Sequence, residues 1–184
     1  MSELIKPNRK YDYITSLGMA YYFWKVGFWL LNNKQNRNVY GVFVGVSNVG
    51  IGIELYLKSF IAFSGTESMP KTHNLKKLYL QIDNKIIEKI ENMSKEEGIF
   101  KENNQTFYIR GSIGQPIQTS PYKPSKSIKE LLEKHNSLFV DFRYMYEKAR
   151  EKEEHFIVEY ENLKIFTKVL DKIAKEMFIL FETK

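Results

Sequence analysis

The sequence predicts an all-α fold, an up-and-down antiparallel bundle of about five helices. Two observations predict it. Apolar residues recur at spacings of three and four along most of the chain, which is the period of one helix face, and polar or turn-forming stretches separate these segments. Only residues 98–125 carry glycine and proline at a density that rules out a continuous helix. At 184 residues the chain has the length of one domain, so we expect a single domain over residues 1–184.

The first helix is predicted from about Tyr13 to Leu31, where apolar residues line one face and a polar run follows. The next segment, Asn38–Ile61, is ambiguous because its valines and glycines favour strands locally. Its second half is helical in character, with Glu54 and Lys58 in the favourable i,i+4 order, so we predict a helix. Four glycines would let this central helix approach its neighbours closely: Gly41, Gly45, Gly50 and Gly52.

A third helix is predicted from near His73, with an apolar stripe that continues to Met93. The stretch 98–125 follows, and we predict a long loop or a small β-hairpin inserted between helices, with a candidate strand at 107–109. Loops of this length are often functional.

Ser127 and Glu130 form a capping box, which predicts the start of a fourth helix. Its apolar positions continue to Tyr146. The last helix is predicted from about Phe156 to Phe181, where apolar residues alternate at spacings of four and three, as in a bundle seam.

The composition excludes several classes of site. The chain has no cysteine, which rules out disulfides, thiolate nucleophiles and cysteine-ligated zinc. Its three histidines show neither HxH nor HExxH spacing, so we expect no metal and no cofactor. The net charge is +6, and residues 1–92 carry 12 basic against 7 acidic side chains. This balance is compatible with an acidic partner such as RNA, and equally with neutral partners.

The sequence also bears on location. MSELIKPNRK at the start lacks the apolar segment of a secretory signal peptide, and the longest uncharged run is shorter than the roughly 18 residues that span a bilayer. We therefore expect a cytoplasmic protein with no membrane partner. One alternative stays open, because Tyr13–Asn33 is apolar and aromatic with Lys25 as its single charge, a composition compatible with a membrane interface.

No phosphate-binding loop, dinucleotide fingerprint or GxSxG motif is present, but three features have chemical potential. Glu54 lies in the apolar stretch GIELYLK and must face water or find a partner, of which Lys58 is the plainest. His73 stands at a helix start, where a capping or local hydrogen-bonding role is the simpler interpretation. Arg143 lies between two aromatic residues, four positions before Glu147, which suits a partly buried ion pair.

Arg150 and His155 complete the third feature, because four residues separate them. Histidine can take the proton of a 2′-hydroxyl, and arginine can stabilise the charge on the attacked phosphate, so the pair suffices for metal-independent RNA cleavage. On one straight helix they would point about 140° apart and would converge only across a bend or a dimer interface. The intervening Glu151–Glu154 run favours the alternative of a solvated, charged face.

Three segments together resemble the HEPN domain family: GIELYLKSFIAFSG, then KTHNLKKLYLQI after a short loop, and FRYMYE before the long final helix. In HEPN proteins a similar E-L-x-L-K helix leads into a His-x-Leu helix start, and an Arg-Tyr pair often precedes the last helix. The resemblance covers most of the chain outside 98–125. It implies an up-and-down helical bundle that commonly dimerises, so we expect a homodimer.

Many HEPN proteins are metal-independent ribonucleases of toxin–antitoxin or defence systems, with an Rx4–6H motif at the dimer cleft. Others bind RNA or nucleotides, or are partners of a nucleotidyltransferase. The residues that match the family pattern are Arg150 and His155 as a candidate catalytic pair, and Glu54, Lys58, His73 and Arg143 as candidate binding residues expected to converge near one cleft. Two functions stay open: an RNA-binding endoribonuclease, with an antitoxin as partner, and a non-catalytic module that binds RNA, a nucleotide or a nucleotidyltransferase-type partner.

Overall fold

The computed structural model describes residues 12–33, 39–65, 69–102, 104–110, 122–136 and 155–182. These residues form six helices and two strands of four residues each. The helices are α1 (Tyr13–Asn32), α2 (Val39–Phe63), α3 (Leu75–Tyr79), α4 (Asn84–Glu96), α5 (Ile128–Lys134) and α6 (Tyr160–Glu182), and the strands are β1 (Phe107–Arg110) and β2 (His155–Val158). The all-α prediction is confirmed.

Helices α1 and α2 form an antiparallel pair held by close backbone approach. A Cβ atom placed on Gly45 of α2 would lie 3.0 Å from the carbonyl oxygen of Gly27 in α1, and one placed on Gly52 would lie 3.0 Å from the backbone nitrogen of Trp24. The predicted role of glycine in α2 is therefore confirmed at Gly45 and Gly52. At the open end of the pair the rings of Tyr13 and Phe63 meet edge to face, with centroids 6.1 Å apart.

Helix α6 packs antiparallel to α1. Tyr160 at its start contacts Phe28, with ring centroids 5.4 Å apart, whereas Lys175 near its end lies over the ring of Tyr21. Helix α4 is also antiparallel to α6. Lys89, in the middle of α4, pairs with Glu176, whereas Glu97, just after the end of α4, pairs with Lys172, one turn earlier in α6. The four long helices thus alternate in direction along the chain, as an up-and-down bundle requires.

The core between these helices is largely aromatic and aliphatic. Its largest fully buried side chains include Tyr56, Phe60, Tyr79 and Phe166. By length and composition, one stretch among the described helices could cross a membrane, Gly41–Phe63, and 61% of its most apolar window is buried within the protein. Buried core helices of soluble proteins have the same character.

The single helix predicted from near His73 to Met93 is wrong, because two helices occupy this stretch. Helix α3 ends at Tyr79, and α4 begins after Asp83, whose carboxylate accepts a hydrogen bond from the Lys85 backbone nitrogen at 2.9 Å. Aspartate favours this capping position over a helix interior. Ile82 between the helices is buried, so the apolar stripe continues through the break and hides it.

The segment 98–125 does contain the predicted strand, but its partner lies elsewhere. Strand β1 pairs antiparallel with β2, with Phe107 opposite Val158 and Arg110 opposite His155. Strand β2 occupies the stretch predicted as the beginning of the last helix, which instead starts at Tyr160. The residues His-Phe-Ile-Val have aromatic and β-branched side chains that suit a strand once β1 supplies a partner.

The predicted start of the fourth helix is confirmed. Ser127 Oγ accepts from the Glu130 backbone nitrogen at 3.2 Å, and the Glu130 carboxylate accepts from the Lys126 backbone nitrogen at 2.9 Å. This helix, α5, ends at Lys134. The predicted continuation to Tyr146 falls on residues 137–146, outside the described residues.

Candidate functional site

Three of the predicted binding residues meet in one cluster. Lys58 Nζ lies 2.7 Å from Glu54 Oε1, and His73 Nδ1 lies 3.0 and 3.1 Å from the two oxygens of the same carboxylate. Glu54 and Lys58 are one turn apart on α2, and His73 belongs to the extended residues before α3, which packs against α2. The side chain of Glu54 is 9% exposed, so Glu54 does not face water: it pairs with Lys58, as the spacing predicted, but inside the protein rather than on an exposed face.

This cluster holds an imidazole at the protein surface. The side chain of His73 is 56% exposed, whereas that of Lys58 is 15% exposed. The buried carboxylate of Glu54 accepts from both, which compensates the cost of its burial. Because the carboxylate holds Nδ1, it also fixes the orientation of the ring, as carboxylates do for functional histidines.

Of the predicted catalytic pair, His155 alone lies among the described residues. Arg150 and Arg143 both lie outside the described residues, within 137–154. His155 is the first residue of β2, and its partner across the strands is Arg110. It is therefore on a strand rather than on the straight helix considered for the Rx4H spacing.

Lysines concentrate where α3 and α5 pack together. Lys76 of α3 pairs with Glu133 of α5 at 2.8 Å. Residues 69–82 and 122–136 hold seven lysines against two glutamates, a net +5 from lysine and glutamate in a chain of net +6. We call this the α3–α5 lysine surface; its lysines are Lys71, Lys76, Lys77, Lys123, Lys126, Lys129 and Lys134. The side chains of Lys76 and Lys134 are half-buried, and the other five lysines are exposed.

Both glutamates of this surface interact with its lysines. Hydrogen bonds from the Lys126 backbone nitrogen and from Lys134 lower the pKa of Glu130, so its carboxylate is ionised at neutral pH. Glu133 pairs with Lys76. Glu159, buried 3.8 Å from Lys134, is a third carboxylate beside them. The seven lysines exceed these three acidic groups, so the surface retains a positive potential.

A buried hydrogen-bond network fixes the α5 segment in place. Glu159, between β2 and α6, accepts from Ser125 Oγ at 2.5 Å, from Tyr122 OH and from Asn162 Nδ2 at 2.7 Å. At the other end of α5, the Glu159 backbone nitrogen donates to His135 Nε2 at 3.1 Å. The lysine surface therefore stands on a segment anchored at both ends.

A comparison of the net charges of the two halves of the chain does not reveal this surface. Residues 69–82 fall in the basic first half, but 122–136 fall in the nearly neutral second half, where acidic residues elsewhere offset their lysines. The local signal is the stretch KPSKSIKELLEKH, which has four lysines and two glutamates. Its proximity to α3 is visible only in the fold.

Within the part of the chain that the structure describes, no group of three or more histidine, aspartate or glutamate side chains could hold a metal ion. Comparisons with protein-family models, with curated proteins and with solved structures found no match for this chain.

Proposed function

We propose that this protein binds RNA through the α3–α5 lysine surface. The observation that carries the proposal is the concentration of charge, since these two adjoining segments hold a net +5 in a chain of net +6. Lysines that neutralise phosphates release condensed counterions, which is the main source of affinity in sequence-independent RNA binding. The resemblance to HEPN proteins, many of which act on RNA, supports the same class of ligand in a cytoplasmic protein.

The Glu54–Lys58–His73 cluster would contribute selectivity at the edge of this surface. His73 lies between Lys71 and Lys76 along the chain and is exposed. An imidazole of fixed orientation can stack on an unpaired base, which is how many proteins recognise single-stranded RNA. Glu54 is then a positioning residue, because it acts through His73.

The proposal extends to cleavage of the bound RNA. Arg150 and His155 would act as the metal-independent pair, in an enzyme of toxin–antitoxin or defence type with an antitoxin as partner. The alternative is a non-catalytic HEPN-like module that uses the same surface to hold RNA, a nucleotide or a nucleotidyltransferase-type partner. One set of RNA measurements separates them.

The first measurement is fluorescence anisotropy of a labelled single-stranded RNA at several salt concentrations. The surface variant replaces three lysines by glutamine: Lys77, Lys126 and Lys129. We expect its affinity to fall by about tenfold or more, and the slope of log affinity against log salt to decrease by roughly 0.7 for each phosphate that is no longer neutralised. A control variant replaces three exposed lysines elsewhere: Lys85, Lys95 and Lys101. Equal losses of affinity in both variants would show non-specific charge attraction and would contradict the proposed surface.

The same RNA incubated in EDTA tests cleavage. If the chain is a nuclease, products ending in 2′,3′-cyclic phosphate appear with the wild type and disappear with His155→Ala or Arg150→Ala, while circular dichroism stays unchanged. Binding without cleavage favours the non-catalytic module. Absence of RNA binding by the wild type contradicts the proposal as a whole.

A further inference from the structure

A cleft of about 520 Å³ lies between the beginning of α1 and the end of α6, and no residue of α3 or α5 lines it. Ile14, Leu17 and Phe178 supply its apolar walls, and Lys175 stands at its polar side. Small-molecule sites have volumes of roughly 300–1,000 Å³, with mostly apolar walls and a few polar groups. The size and lining of this cleft are those of such a site.

The polar groups beside the cleft form an ordered chain of hydrogen bonds. Tyr56 OH accepts from Trp24 Nε1 at 3.0 Å and donates to Asp171 Oδ1 at 2.9 Å. Lys175 Nζ donates to Asp171 Oδ2 at 2.7 Å. Both oxygens of Asp171 therefore have a donor, and the hydroxyl of Tyr56 both donates and accepts. The hydrogen-bonding needs of these two groups are met within the protein, without a ligand.

Lys175 differs from these groups because it keeps donor capacity. An ammonium carries three N–H donors, and the side chain of Lys175 is 63% exposed while one donor engages Asp171. That hydrogen bond raises the pKa of Lys175, which keeps the ammonium charged at neutral pH. A charged donor at the margin of an apolar cleft is complementary to an anion on an apolar molecule.

Gly18 keeps the cleft open. A Cβ atom at this position would have no heavy atom within 4 Å, although glycine in a helix interior costs about 1 kcal/mol relative to alanine. The glycines that pack α1 against α2 have backbone atoms within about 3 Å, so Gly18 is not explained by helix packing. Because Gly18 has no side chain, this position leaves space in the cleft.

We propose that this cleft binds a small amphipathic carboxylate, with its hydrocarbon part between Leu17 and Phe178 and its carboxylate on Lys175. The apolar walls select the hydrocarbon. Lys175 is paired with Asp171, and its remaining N–H donors select a head group that accepts hydrogen bonds, a carboxylate above an alcohol because charge-assisted hydrogen bonds are stronger. This site is independent of RNA binding, because it uses α1 and α6 rather than α3 and α5.

Isothermal titration of the full chain with dodecanoate, kept below its micelle concentration, tests the site. We expect one molecule per chain, and weaker binding of uncharged dodecanol. Gly18→Leu fills the cleft and should lower the affinity by about tenfold or more without lowering the melting temperature. Lys175→Met should weaken dodecanoate binding and remove its advantage over dodecanol.

The control is Lys164→Met, because Lys164 is also on α6, pairs with a helical acid, Glu161, and lies over a tyrosine ring, that of Tyr160. This variant should bind dodecanoate as the wild type does. Three results would overturn the proposal: no binding by the wild type, several weak molecules bound equally by every variant, or an unaltered affinity in Gly18→Leu. A wild-type dimer that Gly18→Leu converts to monomer, without dodecanoate binding, would assign the cleft to a second copy and would also overturn it.

Discussion

Glu159 is a fully buried carboxylate whose charge is stabilised by its neighbours. Burial acts to raise its pKa, but hydrogen bonds from Ser125, Tyr122 and Asn162 hold that pKa below the ordinary glutamate value. His135 beside it is neutral in the folded protein. Burial lowers the pKa of His135, whose Nδ1 donates to the Leu131 carbonyl while Nε2 accepts from the Glu159 backbone.

These two groups predict that acid destabilises the protein. Each has a folded-state pKa below its unfolded value, so the stability they provide is present above the unfolded pKa and is lost as the pH falls. For His135 the loss starts near pH 6.5, and for Glu159 near pH 4.5. Urea unfolding measures this effect. If the unfolded chain binds one proton more than the folded protein, the free energy of unfolding should fall by up to about 2 kcal/mol between pH 6.5 and about pH 5.

His135→Gln tests the source of this pH dependence, because the amide offers an acceptor to the Glu159 nitrogen but does not titrate. The slope of unfolding free energy between pH 6.5 and about pH 5 should largely disappear in this variant. A full slope in His135→Gln would place the titrating group elsewhere.

The two charged clusters differ in how far sequence could predict them. Glu54 and Lys58 are one turn apart, so local spacing predicts their ion pair. The approach of His73 to Glu54 was expected only from the resemblance to HEPN proteins. Glu159 could not be found in this way, because its partner Ser125 is 34 positions distant and the two meet only through the fold. Nothing in the sequence next to Glu159 distinguishes it as the buried one among the 22 acidic residues of the chain.

Among elements, the features that local chemistry determines were predicted, and those that depend on distant contacts were not. The capping box of α5 and the periodicity of α1 act within a few residues, so both could be read from the sequence. The break at Asp83 could not, because the apolar stripe continues across it. Strand β2 depends on pairing with β1, which is distant along the chain, and isolated propensity does not reveal this pairing.

The α1–α2 packing predicts opposite effects for two glycines of one helix. Gly27→Ala would place its Cβ 2.7 Å from the Gly45 carbonyl oxygen and 2.9 Å from the Val49 backbone nitrogen, and backbone atoms cannot yield cheaply. We expect a destabilisation of about 1–3 kcal/mol from overpacking. Gly18→Ala meets no atom and should stabilise by about 1 kcal/mol through helix propensity.

Urea unfolding by circular dichroism measures both variants against the wild type. Each variant is the control for the other, since both are Gly→Ala changes in α1 and have the same effect on the unfolded chain. Stabilisation by Gly27→Ala equal to that by Gly18→Ala would mean that the helices are not in close contact at this point.

Among the described residues, the α3–α5 lysine surface and the longest exposed apolar stripe lie on different helices. The lysine surface belongs to α3 and α5. Four large side chains of α1 form an apolar stripe at spacings of three, four and three: Met19, Tyr22, Val26 and Trp29, which are 48%, 70%, 47% and 60% exposed. This spacing is that of a two-helix seam, and Lys25 is the single charge in α1.

The α1 stripe is predicted to form the homodimer interface. One stripe is self-complementary about a two-fold axis, so two copies can bury it in a closed dimer. Sedimentation velocity over a range of concentrations should show a dimer for the wild type and a monomer for Tyr22→Lys combined with Trp29→Lys, because the change would bury unpaired charges at the interface.

Leu80→Lys is the control for this dimer, since Leu80 is 52% exposed but lies outside α1. It should sediment as the wild type does. A wild-type monomer, or a dimer that survives the double variant, would contradict this interface. The double variant also connects oligomeric state to chemistry: if the Arg150–His155 pair acts across the dimer, the monomeric protein should bind RNA through its lysine surface but cleave none.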